Sequence, residues 1–401
     1  MTDTIVTGIN ALAARWAGRL SGGSAVLSAA GVWPLLGFLA EAAAPDARTE
    51  LAEAMGVPPP QVRAAADTAL GLLTEIPEVR SALGLWARKE LLLHPDWVTG
   101  LPPGVLGELT GDPAVDTATL DAWVTDHTGG LIDAMPLTID PQTLLVLATA
   151  LSVRTRWREP FTDTPWWIQE GPWAAADALH GLGTTTTDTA RLRVAGTDAG
   201  LVTVLQVPGD GEIDVHLFLG SADGTAAQVL PAGLGLLAPG KGPEPGADAA
   251  ALALGAPGPG VLVQDEPAWD PAPRLSVHLP AFTLGASHDL LAHADLFGLA
   301  STTGTALDRF PATGPTPLTV SQARQTATAT FSARGFEAAA VTAVGMVAGA
   351  APVQPPHLAR HVHVILDRPF GFAAVHAPTG LVLVCGWVSR PQRYQDAHSP
   401  R

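Results

Sequence analysis

Residues 143–161 read TLLVLATALSVRTRWREPF and mark the point where the character of the chain changes. From Leu144 to Ala148 the run is apolar without a break, which predicts a strand that is covered on both faces and central in its sheet. The segments before it have the spacing of helices, and those after it have the alternation of strands. This order, helices first and sheets later, predicts the α+β fold class.

The helical part begins with Ile9, Leu12 and Trp16, which recur at helical spacing and predict an amphipathic helix. Pro34 is predicted to begin a second helix, since proline is tolerated at the first helical position. Later segments alternate apolar and polar residues or flank a turn-forming sequence, as half-buried strands and hairpins do. These predicted strands are 274–279, 326–331, 370–376 and 380–388.

The composition excludes several classes of protein. Of 401 residues 47% are hydrophobic, which is enough for a large core. With 22 Lys+Arg against 38 Asp+Glu the formal charge is −16, which argues against nucleic acid or an anionic membrane as the main partner. The longest apolar runs are far shorter than the ~20 residues that span a bilayer. Cys385 is the only cysteine, so no internal disulfide is expected.

The first twenty residues lack the basic start and the apolar run of a signal peptide, so a cytoplasmic location is the default expectation. Lys89 and Lys241 are the only lysines, and Gly and Pro are abundant, a bias typical of a GC-rich genome. Residues 239–260 are rich in Gly, Pro and Ala without a strand pattern and predict a surface insertion. No second composition shift divides the chain, so residues 1–401 are predicted to form a single domain.

The usual catalytic signatures are missing, among them a Walker A loop, HExxH and GxSxG, so the sequence does not favour an enzyme and indicates no cofactor. His361 and His363 share a face of a predicted strand, as metal ligands sometimes do. A solvent-facing pair on an edge strand is the favoured interpretation, because no carboxylate or third histidine lies near them in sequence. No metal site is therefore predicted.

Residues 338–358 are unusual because they contain no charged residue. Such a segment can be an ordinary buried strand and turn. It can also be extended and exposed, which is an aggregation hazard that a protein tolerates when it uses the segment. Nothing in the segment is too large or too costly to desolvate for a place between two strands.

Six short motifs, in one order, resemble the serpin family over nearly the whole chain. In this family's order they are the strand-to-helix entry at 25–28, the helix end at 123–132, the W-x-x-P-F turn at 157–161, the V-x-L-P strand at 274–282, the R-P-F motif at 367–370 and the closing segment at 380–391. The chain is identified as a bacterial-type member. The resemblance implies the serpin fold, about nine helices packed around three β-sheets with an exposed reactive-centre loop at about 335–360.

The resemblance also implies how such a chain works. A serine protease cleaves the loop, and the hinge then inserts into the central sheet while the acyl-enzyme is still intact. The residues that resemble the family's hinge are Gly335, Phe336, Glu337, Ala338, Ala339, Ala340, Val341 and Thr342. The implied sheet-opening latch consists of Ser28, Thr149, Trp157 and Gln325.

Several positions depart from the family. Phe336 stands where inhibitory relatives usually carry Thr or Ser, and a ring needs room, since overpacking costs about 1 to 3 kcal/mol. Thr149 and Gln325 align with a buried Asn and His of the family. Ala281 and Ala333 align with a Lys and Glu pair beneath the hinge, so both charges are lost together.

The family spacing places the scissile bond near Gly349 and Ala350, with Met346, Ala348 and Leu358 as further candidates. These residues are small or apolar, so the expected partner is a serine protease of elastase-like, subtilisin-like or chymotrypsin-like preference, and the protein is expected to be a monomer. The family also makes an extracellular location an expectation. The alternative is a serpin-fold protein that does not inhibit, acting as a binding scaffold or a plain protease substrate.

Overall fold

A computed structural model describes residues 2–174, 177–237, 249–303, 308–336 and 355–394. Within these ranges the chain forms eight α-helices, five short 3₁₀-helices and nineteen strands. The α-helices are α1 (Thr2–Ala17), α2 (Ala29–Ala42), α3 (Pro45–Met55), α4 (Val62–Glu75), α5 (Pro95–Gly100), α6 (Pro113–Thr128), α7 (Ala226–Gly235) and α8 (Ala294–Phe297). No described helix has the length and apolar character needed to cross a membrane.

The strands follow the α+β order that the sequence predicts. They are β1 (Ala25–Leu27), β2 (Val79–Arg88), β3 (Leu106–Leu109), β4 (Leu145–Val153), β5 (Thr155–Arg156), β6 (Thr162–Trp166), β7 (Leu179–Thr186), β8 (Leu192–Thr197), β9 (Gly200–Pro208), β10 (Ile213–Leu219), β11 (Gly255–Gly258), β12 (Val261–Ala268), β13 (Arg274–Pro280), β14 (Phe282–Asp289), β15 (Arg324–Phe331), β16 (Gly335–Phe336), β17 (His357–Ile365), β18 (Phe370–His376) and β19 (Leu381–Val388).

The strands form two large sheets and three smaller units. One six-stranded sheet has the order β1-β19-β18-β10-β9-β8, and the other has the order β11-β12-β17-β13-β7-β6. The three-stranded sheet is β3-β2-β4, and the pairs β14-β15 and β5-β16 stand beside it. The predicted α+β class is confirmed by this arrangement, although the described residues form eight α-helices and five sheets where about nine helices and three sheets were expected.

Two helix boundaries show how the sequence sets the elements. The second helix begins at Ala29 rather than at the predicted Pro34, because the Ser28 hydroxyl caps it by accepting a hydrogen bond from the Gly31 N–H. Pro34 is then tolerated inside the first turns. The helix α6 ends at Thr128, within the helix end at 123–132 that the family motif implies, and the φ of 62° at Gly129 is left-handed and suits glycine.

Two predictions about the strands are wrong. The strand β4 lies at the end of its three-stranded sheet, not at the centre. Val146 and Ala148 pack beneath Leu120 of α6. The apolar run thus indicates that the faces of the strand are covered, but it does not indicate whether both edges are paired. The predicted surface insertion also contains a strand, β11, which forms a hairpin with β12 at the edge of a six-stranded sheet. Residues 239–248 of that insertion lie outside the described residues.

Candidate functional site

The central feature of the molecule is a gap between β4 and β15, which we call the β4–β15 cleft. Within the described part of the chain, β4 pairs with β2 alone and β15 pairs with β14 alone. Among the described residues, no strand pairing joins β4 to β15. Each strand therefore presents a backbone edge to the cleft, and an edge of this kind is a template for one more strand.

The cleft widens into a cavity at its lower end. The cavity has a volume of ≈ 360 Å³ and lies between the start of β4 and residues 317–326. Its floor is apolar and includes Val32, Leu35 and Phe38 of α2. An apolar floor of this kind suits small or apolar side chains and disfavours charges.

The first residues of the predicted hinge close the upper end of the cleft. After β15 the chain turns at Ser332, whose N–H donates to the Gly335 carbonyl at 3.0 Å. Gly335 and Phe336 then pair in antiparallel fashion with Arg156 and Thr155. The hinge thus enters between β5 and the end of β15. A Cβ on Gly335 would lie 2.3 Å from the Thr155 carbonyl oxygen, so the close approach requires glycine.

Phe336 has the room that its size demands. Its side chain is 2% exposed, and its ring lies 6.0 Å from that of Phe372, within a buried group of aromatic rings that also includes Phe282 and Phe331. The ring thus packs against Phe372 of the neighbouring strand β18. The ring therefore anchors the hinge by burial of apolar surface.

The space beneath the hinge is uncharged. Ala281 and Ala333 are 2% and 7% exposed, and the carbonyl of Ala333 accepts a hydrogen bond from the Phe161 N–H at 2.8 Å. Two charges here would have to remain paired in a desolvated place. Their joint replacement by alanine leaves no buried charge unpaired.

Three of the predicted latch residues meet at the start of α2. The Gln325 amide accepts from the Ser28 N–H at 3.0 Å and donates to the Ser28 carbonyl at 2.7 Å. The Thr149 hydroxyl donates to the Gly31 carbonyl at 2.5 Å, and the Ser28 hydroxyl donates to the Leu383 carbonyl at 2.6 Å. The first turn of α2 is therefore bonded to β4, β15 and β19 at once.

Trp157 does not belong to this group. Its indole N–H donates to the Ser332 carbonyl at 2.8 Å, and its ring lies 4.6 Å from that of Phe331. These contacts place Trp157 at the turn that leads into the hinge, at the opposite end of β15 from Gln325. The four residues predicted as one latch thus occupy two places along the cleft.

The expected loop boundaries need correction at both ends. Gly335 and Phe336 lie in β16, and residues 357–360 lie in β17. Leu358, a candidate for the scissile bond, is 72% exposed but pairs with Pro267 in the sheet. The other candidates, Met346, Ala348, Gly349 and Ala350, lie outside the described residues. So do Glu337, Ala338, Ala339, Ala340, Val341 and Thr342 of the hinge.

The sequence missed a cluster on the strand that follows the loop. The strand β17 is internal, between β12 and β13, so His361 and His363 are not on an edge strand as predicted. Glu266 of β12 contacts both: its carboxylate oxygens lie 2.6 Å from His361 Nδ1 and 3.1 Å from His363 Nε2. The hydrogen bond from His361 lowers the pKa of Glu266 to about 2. Only strand register brings these residues together, so local spacing gave no signal.

Comparison with known families confirms the predicted serpin fold. The model of the family described as Serpin (serine protease inhibitor) matches residues 9–219 and 265–391. The unmatched residues 220–264 include α7, β11 and the first half of β12. A search of curated protein sequences finds no significant match.

Solved structures with the same fold cover almost the whole chain. Cleaved Serpin 42Da matches with a TM-score of 0.68 at 15% identity, covering 97% of this chain and 98% of that one. Native protease nexin-1 with heparin matches with a TM-score of 0.67 at 19% identity, also over 97% of this chain and 98% of that one. At these identities the likeness concerns the fold alone.

The contacts at the start of α2 predict a graded loss of stability. Thr149→Val keeps the shape of the side chain but removes one hydrogen bond, and Gln325→Leu removes two. We expect the free energy of unfolding to fall by about 1 and about 2 kcal/mol, respectively. Thr149→Ser retains the hydroxyl and is the matched control, expected to stay near wild type. Equal stability of Thr149→Val and Thr149→Ser in thermal or denaturant unfolding would contradict this role for the hydroxyl.

The burial of Phe336 predicts that it holds β16 in place. Phe336→Ala removes most of a buried ring, which costs about 3 kcal/mol, and the pairing with Thr155 should open about a hundred times more often. Hydrogen exchange of the backbone amides in β5 and β16 measures this opening. Phe336→Leu keeps an apolar side chain of similar reach and should show a much smaller change. If exchange in Phe336→Ala matched wild type, the ring would not be the anchor.

Proposed function

The chain belongs to the serpin family, whose members are generally inhibitors of serine proteases rather than enzymes, and from that premise we propose that it is a single-use protease inhibitor. The observation that carries the proposal is the β4–β15 cleft with the hinge already at its upper end. A strand that continues from Phe336 enters a gap whose two edges have no strand partner among the described residues. We propose that the cleaved loop fills this gap.

The proposed reaction couples one chemical step to one structural step. The protease serine attacks the scissile carbonyl, the peptide bond breaks, and the new amine takes the proton and remains with β17. The acyl group stays on the protease serine as an ester at the new end of the hinge segment. Insertion of that segment carries the ester and the protease along the cleft before water can cleave the ester. The inhibitor is consumed because its peptide bond is not remade.

The register at the top of the cleft supports this path. Phe336 pairs with Thr155, and antiparallel continuation would set Ala340 opposite Leu151 and Thr342 opposite Thr149. Opposed residues share a face, so these two side chains would point toward α2, on the side where the Thr149 hydroxyl bonds to the Gly31 carbonyl. Alanine and threonine suit that face because neither is large or charged.

We propose a target protease that prefers small or apolar residues. Leu358 is held in β17 opposite Pro267, which favours cleavage among Met346, Ala348, Gly349 and Ala350. Arg360 is not expected to direct cleavage by a trypsin-like protease, because its side chain is already engaged. Its guanidinium pairs with Asp265 at 2.8 Å and donates to the Leu252 carbonyl at 3.1 Å. The bacterial subtype, the monomeric state and the location stay predictions.

A panel of serine proteases tests the target class. Elastase, subtilisin and chymotrypsin are each incubated with the protein, with trypsin as the comparison. We expect a complex that survives SDS with at least one of the first three, and faster than with trypsin, because the uncharged loop fills a small or apolar specificity pocket. Mass spectrometry of the released C-terminal fragment then locates the scissile bond. Cleavage without any stable complex would favour the scaffold or plain-substrate alternative.

Thermal unfolding before and after cleavage tests the insertion. A new strand of roughly ten residues gains about 1 kcal/mol per backbone hydrogen bond, so the cleaved protein should melt about 20 °C higher than the intact one. Ala340→Glu places a charge on the face toward α2, which costs several kcal/mol, and should lose at least half of that gain.

Ala351→Glu is the matched control for this test. It introduces the same charge in the same loop, but beyond the favoured cleavage positions, on the fragment that stays with β17. Its cleaved form should keep the wild-type gain in melting temperature. An unchanged melting temperature of the cleaved wild-type chain would rule out insertion, whatever the variants do.

A further inference from the structure

The side chains of Glu266, His361 and His363 form a compact cluster on one face of the sheet. One possible ligand atom from each lies within 4.8 Å of the other two. His361 is buried, and Glu266 and His363 are half-buried, so the cluster is open to small solutes on one side. Two imidazoles and one carboxylate are a donor set that suits zinc and disfavours calcium and magnesium, which take oxygen ligands.

We propose that Glu266, His361 and His363 bind a zinc ion that joins the β11–β12 hairpin to β17. Four-coordinate zinc has ligands at about 2.0–2.2 Å, so its donor atoms stand roughly 3.3 Å apart. The carboxylate oxygens now lie 2.6 and 3.1 Å from the two imidazole nitrogens. A shift of under about 1 Å in the glutamate side chain therefore opens the space for the ion, with water as the fourth ligand.

A second layer of hydrogen bonds fixes the orientation of His361. Its Nε2 lies 2.8 Å from the Ser276 hydroxyl on β13, and that hydroxyl lies 2.8 Å from the Thr185 hydroxyl on β7. When Nε2 carries the hydrogen and donates it to Ser276, Nδ1 is left with a lone pair toward Glu266. Metal-binding histidines commonly have a partner of this kind on the other ring nitrogen.

The strand register keeps the three ligands in place. Glu266 stands opposite Ala359 on β17, two residues before His361, and β17 is held on its other side by β13. On the opposite face of the same two strands, Asp265 pairs with Arg360 at 2.8 Å. The backbone that carries the ligands is thus fixed without the ion, so zinc meets a largely formed site.

The hairpin that carries Glu266 begins outside the part of the chain that the family model matches, although Glu266, His361 and His363 themselves lie within the matched part. The strand β11 and the first half of β12 lie in residues 220–264, the part that the serpin family model leaves unmatched. This hairpin converts β17 from an edge strand into an internal one and brings Glu266 to the two histidines. The proposed site does not depend on loop insertion and can be tested apart from inhibition.

Titration of the full-length, chelator-treated protein with zinc chloride tests the site. We expect one zinc ion per chain at this site and a rise in melting temperature with zinc concentration. His363→Ala and Glu266→Gln should each weaken binding by about a hundredfold. Ser276→Ala should weaken it by about tenfold, as removal of such a partner typically does. Calcium and magnesium should have no effect.

His357→Ala is the matched control, since it removes an exposed imidazole from the same strand and should leave zinc binding unchanged. The melting temperature of each metal-free variant shows whether the variant folds. If Glu266→Gln does not fold, His363→Ala alone tests the loss of zinc binding. Hydrogen exchange should slow on adding zinc in β12 and β17 but not in β8. Absence of binding, or equal zinc affinity in wild type and His363→Ala, would overturn the proposal.

Discussion

The backbone edges of β4 and β15 are the constraint on which the rest of this structure depends. Each edge carries amide and carbonyl groups that could pair with one more strand, and no described strand pairs with them across the cleft. When such a group bonds to water instead of to a neighbouring strand, the fold loses about 1 kcal/mol of stability, and this loss adds up along the strand. The cleft therefore leaves hydrogen-bonding groups of both strands without a strand partner among the described residues, and in the proposed mechanism the cleaved loop pairs with them.

The start of α2 determines how that gap is held. Ser28 and Gly31 receive hydrogen bonds from both sides of the cleft, from Gln325 on β15 and from Thr149 on β4. Both strands are thus anchored to one helix turn rather than to each other. Ser28 caps this turn, and its hydroxyl also bonds to the Leu383 carbonyl of β19. The turn is therefore held in place by β19, and it in turn holds β4 and β15 in position on the two sides of the cleft.

The sequence predicts well what depends on neighbours along the chain or on ordered motifs. The glycine end of α6 and the hairpin of β18 and β19 are examples. It fails where strand edges and long-range register decide. The apolar run in β4 reports two covered faces and says nothing of an unpaired edge. Glu266 meets His361 from 95 positions away, through a hairpin in a segment whose composition hides its strand, and no local pattern carries that information.

In the proposed mechanism, the number of residues between Phe336 and β17 explains why cleavage would have to come before complete insertion. From Phe336, opposite Thr155, to the level of Leu145 the cleft takes ten residues, 337–346, or about 33 Å of strand. An intact chain must then return to β17. The sheet of β17 also contains β6, and β6 follows β5 at the upper end of the cleft, so the return spans the length of the cleft. The residues left for this return, 347–356, reach at most about 36 Å when fully extended. The intact loop can therefore fill the cleft only by stretching to its limit or by pulling β17 from its sheet, whereas one cut removes both conditions.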